Sequence, residues 1–270
     1  MVIREGLKLT GVAESTVAAA PPWFTGLFAH RRWIRRVEPF PHVYARDVFV
    51  PEFYGRLADE LARVRRERPE SFGTVAADYG AVGASLAGLR DGPLALFLSR
   101  EWHDLIARVA GVATTGDVEG SVHHHRPGSP SGSPHNDLNP AWFKGVAPGP
   151  GEVRTVDPEV DLKIGPRTPE VFARETVRAV AVLFYFGNPD WQPGDGGETA
   201  LYAHIGANPV PALTIPPLNN SLLLFECTPR SWHTFVGNNA AARNSVVMWL
   251  HRPKEDVVRR WGGDSIAQWH

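Results

Sequence analysis

Between residues 177 and 251 the chain is cut into short apolar runs: "VRAVAVLFYFG", "GETALYAHI", "ALTIPP", "NSLLLFECT", "SWHTFVG" and "NSVVMWLH". Each is rich in β-branched or aromatic residues and is bounded by Gly, Pro or Asn, the composition of short strands separated by turns. The intervals leave no room for crossover helices, which argues against a parallel α/β sheet. The pattern predicts a sandwich or closed barrel of mainly β character. No internal repeat of fixed period is visible.

The first half of the chain reads differently. In "PEFYGRLADELARVRRE", Phe53, Leu57, Leu61 and Val64 recur at helical spacing behind Pro51, a residue suited to a first helical turn. "DGPLALFLSREWHDLIARVAG" predicts a second helix, with Leu94, Phe97, Leu98, Trp102, Leu105, Ile106 and Val109 on its apolar side and Gly111 as its stop. Residues 138–177 follow neither rhythm. They are rich in Pro and Gly and are expected to form a lid or substrate loop inserted between strands. The organisation expected is one domain over 1–270: mostly helical support over 1–117, a strand core over 118–252 interrupted by that loop, and a tail over 253–270.

Composition narrows the partners. With 270 residues, 43% hydrophobic and 21% charged, the chain can bury a substantial core. A net charge of −1 provides no general field for nucleic acid or an anionic membrane. The basic runs His30–Arg36 and Arg63–Arg66 are expected to be solvated faces. Cys227 is the only cysteine, which excludes an intrachain disulfide and a cysteine-based zinc site, and fits a reducing compartment. Residues 1–25 lack a hydrophobic segment of signal-peptide length, and no apolar run approaches the roughly 20 residues of a membrane helix. The expectation is a soluble, cytoplasmic protein.

The chemistry gathers around "SPHNDLNP", where His135 and Asp137 stand two positions apart. An isolated His-x-Asp is loop chemistry as readily as half of a metal site, so the rest of the chain must decide. It supplies His233 in "SWHTFVG", then Arg243 and Ser245 at the head of the last strand-like run. Two neutral imidazoles and one carboxylate on one face of a six-coordinate iron leave three positions open. Strand alternation would turn residues 135 and 137 to the same side. A 2-oxo acid can take two open positions and O2 the third. The distal carboxylate of that acid then needs a charged fork, which Arg243 supplies, with a hydroxyl from Ser245 beside it.

The order His135-x-Asp137, His233, Arg243-x-Ser245 resembles the Fe(II)/2-oxoglutarate-dependent oxygenases, specifically their prolyl-4-hydroxylase-like branch. "VLFYFGNPDWQPGDGGETALY", "LLLFE" and "PFPHVYARDVFVPEFYGRL" are similar to segments of that branch, especially the catalytic domain of ribosomal-protein prolyl hydroxylases. The resemblance covers roughly residues 38–252. It implies a double-stranded β-helix of the jelly-roll or cupin type, with His135, Asp137 and His233 as catalytic iron ligands. It further implies that Arg243 holds 2-oxoglutarate, with Ser245 and Tyr185 beside it. The cofactors implied are Fe(II), 2-oxoglutarate and O2, with ascorbate in support. Asp137 stands where the related halogenases have a small residue, so hydroxylation of an unactivated C–H bond is expected. The expected substrate is a small molecule or a peptide, most simply a prolyl residue. A free amino acid or natural-product intermediate is the alternative, and a non-catalytic cupin-type binding protein is the rival from another class.

Other features have plainer readings. In "SVHHHRPG" the family's usual tyrosine is missing, and His123 or His125 is the substitute on offer; alternation sets both opposite His124. Trp249 and His251 are expected to line the barrel. Tyr202 and His204 are expected at the surface, and Gly196–Gly197 in a turn requiring positive φ.

Overall fold

The computed structural model describes residues 20–76 and 79–269; most of the 1–25 stretch read above lies outside these residues. Four helices run over Pro22–Thr25 (α1), Pro51–Glu67 (α2), Arg100–Ala110 (α3) and Lys254–Trp261 (α4). The strands of the first half are Arg35–Arg36 (β1), His42–Ala45 (β2), Gly73–Thr74 (β3), Ala81–Ser85 (β4) and Val118–His125 (β5). Then come Pro140–Lys144 (β6), Val160–Asp161 (β7), Gly165–Pro166 (β8) and Ala173–Tyr185 (β9). The last five are Thr199–Leu201 (β10), Leu213–Ile215 (β11), Ser221–Glu226 (β12), His233–Phe235 (β13) and Arg243–Pro253 (β14).

A nine-stranded sheet runs β1-β2-β12-β9-β14-β5-β4-β3, with β6 added alongside β9. A second sheet has three strands, β11-β10-β13, and β7 pairs with β8 in a third. Every pairing between named strands is antiparallel. Mainly β, with two larger antiparallel sheets and helical support, this is the double-stranded β-helix expected.

Alternation sends the apolar residues of β12, of Ala181–Tyr185 in β9 and of Val246–Leu250 in β14 into two clusters in turn. Val182, Phe184, Leu222, Leu224, Val246 and Met248 join Phe53 and Leu57 of α2 and Trp102 and Ile106 of α3. Leu183, Tyr185, Leu223, Phe225, Val247 and Trp249 point the other way, towards Leu201 and Ile215 of the three-stranded sheet. The site lies on this inner side. Each fully buried Leu or Phe contributes about 1.5–3 kcal/mol relative to an exposed one, so the pattern fixes the register.

α2 spans the helix read from the sequence. The second helical run does not continue unbroken: Pro93–Leu98 is 3-10, and α3 begins after Ser99. The Ser99 hydroxyl accepts the Trp102 amide at 3.2 Å, capping a new helix start. Gly111, at φ 71°, terminates α3 in the left-handed region open to glycine. The 138–177 segment is not a bare loop. β6 pairs with the start of β9, and β7 and β8 form a small hairpin. Among the described residues, no helix is long and apolar enough to cross a membrane.

Candidate active site

His135 and His233 exchange backbone hydrogen bonds, N–H to carbonyl, at 3.0 and 2.8 Å. This isolated bridge sets their rings 4.3 Å apart. Asp137 reaches the same place by a different route from strand alternation. Asn136 Oδ1 accepts the Leu138 amide at 3.1 Å, and Asp137 itself adopts φ 58°. Asp tolerates that left-handed region better than most residues, at a cost of about 1–3 kcal/mol. The turn brings one ligand atom from each of His135, Asp137 and His233 within 4.8 Å of one another. His233 Nε2 lies 3.2 Å from Asp137 Oδ2, and His135 Nε2 lies 3.7 Å from Oδ1.

The protonation pattern suits a cation. His135 Nδ1 lies 2.8 Å from the Ser133 carbonyl, and His233 Nδ1 lies 3.0 Å from that of Ser231. A carbonyl can only accept, so both Nδ1 atoms carry a proton, and Nε2 is the atom of each ring that can ligate a metal. Burial works to raise the Asp137 pKa, but His233, His135 and Arg178 together hold it well below the usual carboxylate range. Two imidazole nitrogens and a carboxylate with open space beside them form the donor set that fits iron(II).

Arg178 was missed in the sequence because strict alternation along β9 would turn it away from the site. A bulge opposite Leu250–His251 corrects the direction: Leu250 pairs with Val180, whereas His251 pairs with Arg178. Ala179 and Val180 therefore both join the outer cluster, and Arg178 faces inward. Its Nη1 donates to Asp137 Oδ1 at 3.1 Å, while Nε and Nη2 donate to Glu119 at 3.1 and 2.8 Å. The guanidinium lies 3.6 Å above the Trp249 ring and 4.6 Å from the Trp269 ring. Trp249, expected only as lining, also donates from Nε1 to Asp137 Oδ2 at 2.9 Å. Both Asp137 oxygens are thus oriented by neighbours.

On the same inner face, Arg243 is 2% exposed. Its Nη1 donates to Ser245 Oγ at 3.0 Å and its Nη2 to Thr199 Oγ1 at 3.2 Å, while Nε has no partner. The guanidinium lies 4.9 Å from the Tyr185 ring, and the Tyr185 hydroxyl is 2.7 Å from Thr199 Oγ1. The structure brings together Arg243, Ser245 and Tyr185, and adds Thr199. No carboxylate among the described residues pairs with Arg243. A buried, unpaired cation is costly, so this pocket fits an anion such as the distal carboxylate of 2-oxoglutarate.

The histidine tract divides as alternation requires. His124 turns outward, its Nδ1 2.7 Å from Asn244 Oδ1. His123 lines the cavity and His125 stacks on Phe235 with centroids 3.9 Å apart. Burial, reinforced by Arg243, pushes the His123 pKa down to about 3 and that of His125 to about 2. His251 is fully buried, with Nδ1 3.1 Å from Thr176 Oγ1. Tyr202 corrects the surface expectation: β10 ends at Leu201, and the Tyr202 ring packs inward at 6% exposure, while His204 is exposed. Gly196 and Gly197 have φ values of 71° and 82°, as a left-handed turn requires.

A cavity of about 370 Å³ joins the two parts, lined by His135, Asp137 and His233 at one point and Arg243 and Thr199 at another. Its mouth is bordered by a C-terminal strap. The Ala267 amide donates to the Leu138 carbonyl at 2.9 Å and Trp269 Nε1 to the Pro140 carbonyl at 2.9 Å.

The antiparallel β architecture, the His135–Asp137–His233 cluster and the buried Arg243 are the arrangement that the resemblance in the sequence led one to expect. Residues 171–251 match the model of the 2OG-Fe(II) oxygenase superfamily. Among solved structures, the fold is similar to a Trichoplax adhaerens prolyl hydroxylase in complex with a hypoxia inducible factor peptide fragment. That match has 17% identity and a TM-score of 0.54, covering 81% of this chain and 86% of the other. It is also similar to the epimerase SnoN in complex with Fe3+, alpha ketoglutarate and nogalamycin RO, at 12% identity and a TM-score of 0.50, covering 78% of each chain. The comparison with curated proteins gave no match.

Proposed function

We propose that the chain is one oxygenase domain that hydroxylates an unactivated C–H bond of a prolyl or similar amino-acid-like substrate, using Fe(II), 2-oxoglutarate and O2. The observation that carries this reading is the single cavity holding both the His135–Asp137–His233 cluster and the unpaired Arg243. In the bound enzyme, iron, 2-oxoglutarate and O2 supply the oxidising power, and one oxygen atom enters the substrate while 2-oxoglutarate leaves as succinate and CO2.

The chain's own residues bind and orient. His135 and His233 offer Nε2 lone pairs fixed by their Nδ1–H bonds. Asp137 offers a carboxylate held by Arg178 and Trp249. Arg243 takes the distal carboxylate of 2-oxoglutarate, with Ser245 and Thr199 fixing its fork and Tyr185 packed against it. Leu183, Val247 and Trp249 border the cavity with apolar surface that limits water around the reacting carbon.

The test is mass spectrometry of products after incubation with iron, 2-oxoglutarate and ascorbate. Free amino acids and blocked proline-containing peptides are offered in parallel. Gain of one oxygen atom on proline supports the reading. Gain only on free non-proline amino acids replaces the substrate and keeps the chemistry.

A further inference from the structure

The β7–β8 hairpin carries one cation to the cavity. Val160 pairs with Pro166 and Asp161 with Gly165, so Leu162, Lys163 and Ile164 form the hairpin tip. The Trp142 amide of β6 donates to the Leu162 carbonyl at 2.9 Å. A Cβ added at Gly165 would already touch the Trp142 ring at 3.4 Å, so the hairpin lies directly on that ring. The tip is thus anchored to the large sheet, and from it Lys163 lines the active-site cavity on its solvent-exposed side.

From Lys163 two rings and two cations alternate down to a metal ligand. The Lys163 ammonium lies 4.7 Å from the centre of the Trp269 ring, and the Arg178 guanidinium lies 4.6 Å from that ring and 3.6 Å from the Trp249 ring. Arg178 and Trp249 both donate to Asp137. Contact with a ring face holds an exposed ammonium weakly, by about 0.5–1 kcal/mol, and offers its three N–H donors no lone pair. Among the described residues no carboxylate pairs with Lys163. Asp157 and Glu159 pair with Lys144 instead. Asp161 accepts the Lys163 and Ile164 amides and pairs with Arg167 at 3.4 Å.

Charge balance in the cavity points the same way. Its lining holds three permanent cations, Arg178, Arg243 and Lys163, and two carboxylates, Glu119 and Asp137. Arg178 pairs with both carboxylates, at 2.8 and 3.1 Å. Iron(II) and 2-oxoglutarate carry equal and opposite charges, so loading both leaves the balance of the lining unaltered, with Arg243 matched to one end of the 2-oxo acid. One positive charge is left over, and it is the ammonium of Lys163. A surface of one sign favours a partner of the other.

We propose that Lys163 holds a carboxylate of the substrate at the cavity, with Trp269 keeping the ammonium in place, so that an anionic amino-acid-like molecule is favoured over a neutral one. The inference rests on the hydroxylase reading above and adds the charge that its substrate carries.

The probes are N-acetylated amino acids, proline included, each set against its primary amide, which keeps the shape and removes the charge. Blocked peptides with proline beside Asp are set against the same peptides with Asn, so that a side-chain carboxylate is read separately from a terminal one. Binding to protein loaded anaerobically with Fe(II) and 2-oxoglutarate is measured by calorimetry. Wild type is expected to bind the acid of at least one pair about tenfold more tightly than its neutral partner, the scale of one charge-assisted hydrogen bond. Lys163→Met should abolish that preference, Lys163→Arg should keep it and Lys163→Glu should reverse it. The neutral partners should bind alike in wild type and Lys163→Met, which also reports correct folding. Absence of an acid preference in every pair, or a preference that survives in Lys163→Met, would overturn the proposal while the hydroxylase reading stands. Failure of the wild type to bind iron and 2-oxoglutarate, read by anaerobic visible absorption, would instead overturn the hydroxylase reading and this inference with it.

Discussion

Arg178 donates to Asp137 at 3.1 Å across 41 positions of sequence, and the same guanidinium is held by Glu119 through two further bonds. The contact ties a carboxylate in a left-handed turn to a bulged strand. Loss of such an orienting partner typically costs 10–100-fold in metal affinity. Arg178→Met is therefore expected to weaken iron binding by about that factor, with Glu119→Gln weaker in the same direction. Iron titration followed by elemental analysis measures it; unchanged affinity would make the Arg178–Asp137 pair a packing feature only.

Arg243 is expected to act on the other ligand. Truncating one partner of a buried charge pair costs about 2–5 kcal/mol, so Arg243→Ala should raise the 2-oxoglutarate requirement by orders of magnitude. Iron content should stay close to wild type. Parallel loss of metal would assign Arg243 a structural role.

His123 and His125 give stability a defined pH dependence. Their folded pKa values, about 3 and about 2, lie below the ordinary value near 6.5 because burial disfavours the charged ring. Between those limits the unfolded chain binds protons that the folded chain does not, so stability is full above about pH 6.5 and falls as the pH drops. Each histidine contributes a slope of up to about 1.4 kcal/mol per pH unit in that window. Denaturant midpoints measured from pH 7 to pH 4 should flatten in His123→Gln and His125→Gln. A slope identical to wild type would contradict the burial account.

The strap should matter to substrate more than to iron. Trp269→Ala removes the ring 4.6 Å from Arg178 and opens the mouth. Coupled turnover is expected to fall, with succinate formed in excess of hydroxylated product. A preserved succinate-to-product ratio would mean the strap only covers apolar surface.

Much of this architecture is legible in the sequence because burial enforces period two: β9, β12 and β14 send alternate residues into separate clusters, and the strand runs follow that pattern. α2 is legible for the same reason at period 3.6. His135, Asp137 and His233 could be singled out, but the reason for their convergence could not. Alternation suggested a strand at 135–137, whereas an Asx turn and φ 58° at Asp137 do the work. Arg178 was hidden by a one-residue bulge, which no composition or spacing announces. Thr199 and Glu119 became visible only through cross-strand neighbours. The break at Ser99 was in principle readable, since Ser is a preferred N-cap, but the apolar period runs through it unbroken.

The most direct measurement is succinate formation from 2-oxoglutarate, with Fe(II) and ascorbate under air, in wild type and in His135→Ala. The account expects iron-dependent succinate from wild type and its loss in His135→Ala, with both proteins folded by circular dichroism. Equal succinate from the two, or none from wild type with any tested substrate, would contradict the assignment of this cavity as an oxygenase site.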